Sequence, residues 1–287
     1  MSGSRVTVWS ARHEGAPADL RLAGRLYVSA EPDPEWRAGS SGLPGLVVGH
    51  GAGSNSLRHE AFCLEAERQG FAVLAIDFRG HGDSEGEADG PLELDILAAV
   101  DFLRGHSAVD PRRICYRGSS MGGFYGLKAA TKAGLAAAAL LCPASEIELS
   151  ALLSKLDDTP PSADTEAPAP STHDTDVVTR WSAQAFRDYF RSQDSAGIAA
   201  KVTCPILLIH ARGDDQVPFS RSVTIAERLT TETLLLALSG GSHTSAQHDP
   251  EVSAFTVRWL MGIGERMERS TGFEPATFGL GSRRSAN

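Results

Sequence analysis

The sequence predicts one α/β domain built on a mostly parallel β-sheet. Short apolar runs, typical of buried strands, alternate with stretches whose apolar residues recur three and four positions apart, as in helices. This alternation continues from about residue 45 to residue 262 without a change in composition that would separate two cores. The chain has 287 residues, 41% of them hydrophobic, which is enough to bury a large core.

The elements are expected in the following order. Two segments alternate apolar with polar residues, as half-buried antiparallel strands do, and predict a leading hairpin: residues 5–9 and 20–28. Buried strands are expected at residues 45–49, 71–76, 114–116, 136–141, 206–209 and 233–238. Helices are expected at residues 56–69, 92–104, 121–132, 221–229 and 251–261. Repeated strand–helix units of this kind form a parallel sheet with helices on both faces.

Two stretches interrupt the pattern. Residues 146–200 stand where a short loop is expected, and their middle, residues 157–176, is rich in Pro, Ala, Ser, Thr and Asp. We expect this middle part to be flexible and a helix to follow at about residues 181–191. Residues 268–287 have no periodicity and predict a disordered tail. The sequence therefore predicts one domain over residues 1–267, with a small lid insertion above the carboxyl ends of the strands.

Charge and cysteine content exclude several classes of partner. The chain carries 27 Lys and Arg against 36 Asp and Glu, a net charge of −9 that repels phosphate backbones and anionic lipids. Neither a nucleic acid nor a membrane is expected as a partner. The four cysteines form no CxxC pair and have no histidine at ligand spacing, so we expect no metal, no cofactor and no disulfide framework. With no signal-peptide pattern at the beginning of the sequence, a cytoplasmic location is expected.

The motif that indicates chemistry is G-S-S-M-G at residues 118–122, between a predicted strand and a predicted helix. A strand that turns abruptly into a helix strains the backbone of the turn residue, and flanking glycines allow the close packing. Such a turn would expose the Ser120 hydroxyl at a helix N-terminus, where the backbone N–H of Met121 faces any oxyanion formed beside it.

A serine nucleophile needs a general base and an acid that orients the base. Asp214 follows the predicted strand at 206–209, and His243 follows the next predicted strand, each in a loop. Asp215 competes for the acid and His248 for the base, but His243 has a preceding pair of glycines and His248 lies closer to the next helix.

A second oxyanion donor, the backbone N–H of Ala52, is expected from the glycine-rich loop at residues 50–55. A dinucleotide-binding turn is the alternative for this loop. It is disfavoured because Ser54 stands where the third glycine of that fingerprint belongs.

Together these residues resemble a serine α/β-hydrolase. The matching segments are H-G-A-G at 50–53, D-F-R-G-H-G-D-S at 77–84, G-S-S-M-G at 118–122, the Asp214 loop ending in Val217 and Pro218, and G-S-H at 241–243. Small esterases of the cinnamoyl and feruloyl esterase type are the most similar branch, and the resemblance covers about residues 20–262. It implies an eight-stranded, mostly parallel sheet whose second strand is antiparallel. Within this family the acid stands four residues before the proline of its loop, which favours Asp214 over Asp215.

The resemblance implies two-step hydrolysis of a small-molecule carboxylic ester. Ser120 would attack, His243 would act as base, Asp214 would orient it, and Ala52 and Met121 would bind the oxyanion. Amide or thioester hydrolysis and acyl transfer use the same residues and stay open. A non-catalytic binding protein with this fold is a further alternative.

Several other residues are expected to be structural. We expect His50 to order the oxyanion loop, His81 to stabilise the turn after its strand, Asp77 and Arg79 to form a hydrogen-bonded pair, and His210 and Cys142 to be packed.

Overall fold

The computed structural model describes residues 3–9, 20–29, 42–157 and 179–266. Within these ranges eight strands form one sheet in the order β1-β2-β4-β3-β5-β6-β7-β8. The strands are β1 (Ser4–Trp9), β2 (Arg21–Tyr27), β3 (Leu43–Gly49), β4 (Ala72–Ile76), β5 (Val109–Ser119), β6 (Ala137–Leu141), β7 (Ile206–Ala211) and β8 (Thr233–Leu238). The predicted flexible segment beyond Asp157 and the predicted tail at 268–287 lie outside the described residues.

The strand directions confirm the predicted fold class. β2 is antiparallel to both β1 and β4, and every other neighbouring pair is parallel. All residues of β3, β4, β6 and β7 are buried, which explains why these strands are continuous apolar runs in the sequence. β8 forms the edge of the sheet and is half-buried along its length.

Helices cover both faces, as predicted. They are α1 (Glu60–Arg68), α2 (Glu93–Arg104), α3 (Met121–Ala129), α4 (Glu146–Asp157), α5 (Ala183–Arg191), α6 (Ser195–Ala199), α7 (Ser220–Arg228), α8 (Ser245–His248) and α9 (Pro250–Arg266). One hydrophobic core lies between the sheet and the apolar residues of α1 and α9, and the other packs α2, α3 and α5 on the opposite face. A 3₁₀ turn, Ser56–His59, precedes α1.

Several elements differ from the expected ones. β5 begins five residues before the expected strand at 114–116, because Leu43 pairs with Val109 although the residues between Val109 and Ile114 are mostly charged. Three short or medium-length helices were not expected: α4 at the beginning of the insertion, α6 near its end, and α8 after His243. Among the described residues, no helix is both long and apolar enough to cross a membrane.

Candidate active site

Ser120 lies at the sharp turn where β5 ends and α3 begins. Its backbone has φ 52° and ψ −116°, a conformation that strains a residue carrying a Cβ. The turn is held by the Ser120 N–H, which donates to the Leu141 carbonyl at 2.9 Å, and by the Ser120 carbonyl, which accepts from Ala144 N–H at 3.1 Å. Ser120 is half-buried, whereas the Ser119 hydroxyl is buried and has no hydrogen-bond partner in the described part of the chain.

The two glycines of the motif permit this turn. A Cβ on Gly118 would lie 2.4 Å from the Gly122 carbonyl oxygen, and a Cβ on Gly122 would lie 2.6 Å from the His50 carbonyl oxygen. The buried Tyr116 hydroxyl donates to the Gly122 carbonyl at 2.7 Å. α3 therefore packs against both its own strand and the loop after β3, with no room for a side chain at either glycine.

That loop lies directly beside Ser120. A Cβ on Gly51 would be only 3.3 Å from the Ser120 Cβ, so Gly51 and its neighbour Ala52 border the turn. Met121 begins α3 on the other side. Because the first N–H groups of a helix have no partner within the helix, the N–H of Met121 is available to a ligand there.

His50 orders this loop as expected. Its Nε2 accepts from the Phe78 N–H at 3.1 Å, so its Nδ1 carries the proton and donates to the Gly51 carbonyl at 2.7 Å. Burial lowers the pKa of His50 to about 4, which keeps the ring neutral and preserves this tautomer.

Asp214 lies in the loop after β7. Its Oδ1 accepts from the backbone N–H groups of Gln216 at 2.9 Å and Val217 at 2.8 Å, and its Oδ2 accepts from His243 Nδ1 at 2.7 Å. Burial would raise the pKa of Asp214, but the hydrogen bonds from Val217 and His243 outweigh burial and lower it. Asp215 is exposed. The carboxylate that meets the histidine is thus that of Asp214.

His243 lies in the loop after β8, with its side chain almost fully buried. The Gly241 before it has φ +97°, a conformation open to glycine, and the Ser245 hydroxyl accepts from Ser242 N–H at 2.7 Å. The Gln247 side chain donates to the His243 carbonyl at 2.9 Å, which fixes the loop from the other side.

The rival base, His248, points elsewhere. Its ring stacks on that of His59, with centroids 5.6 Å apart. His59 Nδ1 in turn accepts from the buried guanidinium of Arg117 at 2.9 Å. His248 therefore belongs to a cluster with His59 and Arg117, and among the described residues it forms no hydrogen bond or ion pair with Asp214.

The end of β6 links the serine to the acid and the base. Leu141 accepts the hydrogen bond from Ser120, and the next residue is Cys142. Ligand atoms of Cys142, Asp214 and His243 all lie within 4.8 Å of one another, and this is the group of side chains in the described structure that could hold a metal ion. His210 is packed, as expected, with its Nε2 3.0 Å from the Val217 carbonyl and 3.3 Å from Asp214 Oδ2.

The prediction that Asp77 and Arg79 form a hydrogen-bonded pair is wrong. Asp77 accepts from the N–H groups of Ser56 and Asp83, at 2.7 and 3.0 Å, and so shapes the turn after β4. Arg79 instead forms a buried ion pair with Asp95 of α2 at 2.6 Å. The partner of Arg79 comes from a helix sixteen residues away, which the local sequence pattern does not reveal.

His81 is buried in this turn, with its Nδ1 3.2 Å from the Arg79 carbonyl. Burial, with the nearby His50, lowers the pKa of His81 to about 3, so the ring is neutral, in keeping with the structural role expected for it. The edge of Trp181 packs on the His81 ring, with centroids 4.9 Å apart.

The later part of the insertion, residues 179–191, packs on the turn after β4 and on α2 and α3. Thr179 and Trp181 form β-bridges with His81 and Ala88. Phe190 of α5 packs on Phe124 of α3, with centroids 5.6 Å apart. In the same helix the Tyr189 hydroxyl donates to Glu93 at 2.9 Å, and Glu93 also pairs with Lys128 at 3.0 Å.

This geometry agrees with a comparison of the sequence with known families. Residues 45–251 match the Hydrolase_4 family, described as serine aminopeptidase, S33. The chain belongs to this family of serine α/β-hydrolases. Membership confirms the superfamily inferred from the motifs at residues 50–53, 118–122 and 241–243.

Individual relatives have modest sequence identity to this chain or match only part of it. An uncharacterized protein of Mycobacterium tuberculosis is 27% identical over 216 residues, which cover 75% of this chain and 66% of the relative, just under two thirds of its length. The quorum-quenching protein AidA of Acinetobacter baumannii is 36% identical over 107 residues, 35% of each chain.

Solved structures share the fold. Est1E from Butyrivibrio proteoclasticus, with ferulic acid bound, superposes with a TM-score of 0.62 at 22% identity, covering 88% of this chain and 97% of that chain.

Proposed function

We propose that this protein is a serine hydrolase that cleaves small carboxylic esters through an acyl-enzyme intermediate. The observation that carries the proposal is the 2.7 Å hydrogen bond between Asp214 and His243 Nδ1, in loops at the carboxyl edge of the sheet that also presents Ser120. Because Nδ1 donates to Asp214, Nε2 of the neutral ring has the free lone pair that a general base needs.

The proposed chemistry has two steps. In the first, Ser120 Oγ attacks the ester carbonyl while His243 Nε2 takes its proton, and the same proton then passes to the departing alcohol. In the second, water attacks the acyl-Ser120 ester, gives its proton to His243, and the acid leaves as Ser120 regains a proton. Asp214 holds the ring orientation and stabilises the imidazolium that forms in each step.

The oxyanion of each tetrahedral intermediate would be bound by the backbone N–H groups of Met121 and Ala52. Two features support this assignment: the position of Met121 at the beginning of α3 and the approach of Gly51 to Ser120. The hydrogen bonds of His50 hold this loop in place before substrate binds, so the donors need no reorganisation.

Two experiments test the activity. A fluorophosphonate probe should label the wild type at Ser120 and leave the Ser120→Ala variant unlabelled. A panel of p-nitrophenyl esters of short and long acids, with hydroxycinnamate esters beside them, should show turnover that Ser120→Ala abolishes. Ser119→Ala is the matched control. The Ser119 hydroxyl is buried and has no hydrogen-bond partner among the described residues, so the variant should keep both labelling and turnover.

Amide and thioester hydrolysis are outcomes of the same panel. An aminoacyl p-nitroanilide is included because the matching family is described as a serine aminopeptidase. Turnover of the anilide or of a thioester well above every ester would replace the ester assignment while keeping the same residues. A folded wild type that the probe does not label would indicate a binding protein instead.

A further inference from the structure

The end of β6 places a thiol beside the acid and base. Cys142 follows the last residue of β6, is fully buried, and has φ 44°, a conformation that is unusual for a residue other than glycine. Its Sγ lies within 4.8 Å of ligand atoms of both Asp214 and His243. Strained residues of this kind are held by the structure around them, so the position of the thiol is well defined.

The thiol is not arranged as a second nucleophile. Burial and the nearby Asp214 carboxylate raise the pKa of Cys142 to about 12, so the sulfur keeps its proton at neutral pH. The thiol can instead serve as a metal ligand. Cysteine sulfur, imidazole nitrogen and carboxylate oxygen are the ligand atoms that bind Zn²⁺ in proteins.

The spacing also suits such a cation. Ligand atoms of Cys142, Asp214 and His243 lie within 4.8 Å of one another. Tetrahedral ligands at roughly 2.0 to 2.3 Å from a metal lie roughly 3 to 4 Å from each other. A small movement of these three side chains would therefore close them around one ion.

We propose that a thiophilic divalent cation, such as Zn²⁺ or Cd²⁺, binds Cys142 Sγ, Asp214 and His243 Nδ1 and thereby inhibits the hydrolase. The thiol proton leaves to solvent as the metal–sulfur bond forms. The His243 proton moves from Nδ1 to Nε2, so the ring stays neutral and one proton is released for each metal bound. A proton on Nε2 leaves no lone pair to accept the Ser120 proton. The inhibition rests on the proposed function, whereas the binding does not.

The test uses Cd²⁺ with the full chain and two readouts. Thiolate-to-Cd²⁺ charge-transfer absorption in the ultraviolet reports metal–sulfur bonds, and p-nitrophenyl ester hydrolysis reports inhibition. Wild type should bind Cd²⁺ with this absorption and lose activity over the same concentration range. Mg²⁺, which prefers oxygen ligands, should do neither.

Cys142→Ser is the matched variant. A serine hydroxyl keeps a donor of similar size for Asp214 but is a poor ligand for Cd²⁺. Relative to its own activity without metal, this variant should need roughly tenfold more Cd²⁺ or higher for half-inhibition, and it should lose the absorption. Cys204→Ser removes a different buried thiol and should retain both responses.

The outcomes separate the two proposals. Equal absorption and equal inhibition in wild type and Cys142→Ser would overturn the metal site. An absorption that depends on Cys142, in a protein that hydrolyses no ester, would support the metal site and reject the proposed function. Inhibition without any such absorption would place the inhibitory metal on other ligands and also overturn the site.

Discussion

The guanidinium of Arg117 donates a hydrogen bond to the backbone carbonyl of Gln247 at 2.9 Å. This bond ties the strand that leads to Ser120 to the short helix that follows His243. The other end of the guanidinium reaches His59, beyond the oxyanion loop. Arg117 is fully buried, and within the described ranges no carboxylate forms an ion pair with it. Burial lowers its pKa to about 10, so the side chain stays charged at neutral pH.

Arg117→Met should lower kcat by roughly tenfold to a hundredfold with little change in KM, because misplacement of the His243 loop impairs chemistry more than binding. Stability should also fall, since the buried Gln247 carbonyl and His59 Nδ1 each lose a donor, at about 1–3 kcal/mol per group. Steady-state kinetics and thermal unfolding measure the two effects. Arg117→Lys, which keeps the charge and one donor direction, should recover part of kcat. A lower melting temperature with unchanged kcat would restrict Arg117 to a structural role.

Asp214→Asn should reduce kcat on the order of 10⁴-fold, because an amide no longer holds His243 in the tautomer that the reaction needs. Asp215→Asn is the neighbouring control. Asp215 is exposed, and α7 begins at Ser220 without a side-chain cap, so this variant should keep its activity and its melting temperature. Wild-type turnover in Asp214→Asn would transfer the acid role to another residue.

His243→Ala should abolish ester hydrolysis, whereas His248→Ala should retain most of it, because His248 stacks on His59 away from Asp214. Circular dichroism of both variants would show that the fold persists. If activity is lost in His248→Ala and kept in His243→Ala, the base has been assigned to the wrong loop.

Acid should destabilise the protein between about pH 6.5 and pH 4. Buried His50 has a pKa lowered to about 4 and buried His81 a pKa lowered to about 3, both below the value of an unfolded chain. Over this range the unfolded state binds protons that the folded state does not. Each ring therefore removes about 1.4 kcal/mol of stability per pH unit as pH falls.

The slope of unfolding free energy against pH measures this effect. His81→Gln should flatten the slope by nearly one proton, whereas His106→Gln, at a half-buried position, serves as the control for removing a histidine. Identical slopes in wild type and His81→Gln would show that His81 is not buried as a neutral ring.

Replacing residues 158–178 by a Gly/Ser linker of equal length should change the ranking of ester substrates more than the melting temperature. The flanking pieces keep their own contacts, through the packing of Phe190 on Phe124 and the bond from Tyr189 to Glu93. Thermal unfolding and the ester panel measure the two effects. An unaltered ranking would argue against a lid.

The strand positions could be predicted because burial of a strand requires apolar residues within the strand itself. A parallel strand covered on both faces must be apolar throughout, and β4 and β6 satisfy this condition in every residue. The beginning of β5 was not predictable, since the segment that contains charged Asp110 and Arg112 joins the strand only through the pairing of Val109 with Leu43 of β3. α4 was missed because it stands at the beginning of a stretch whose composition further along indicates a loop.

Residues of the candidate site were predictable where one turn determines their role. The elbow at residues 118–122 is such a turn, because its glycines and its serine act within five positions. Contacts between residues of distant elements leave no local pattern in the sequence. Arg117 and Gln247 are 130 residues apart, and Cys142 meets Asp214 only because β6 and β7 are neighbours in the sheet.

At Ser120 the chemical need for a hydroxyl is opposed to the stability of the fold. At φ 52° and ψ −116°, any residue with a Cβ is strained by about 1–3 kcal/mol, and glycine is not. Mutation to glycine at this position would therefore favour the folded state while removing the hydroxyl. A lineage released from the need for this chemistry would lose the serine readily and gain a more durable fold. Retention of serine at the elbow in a set of orthologues would accordingly be a record of continued use.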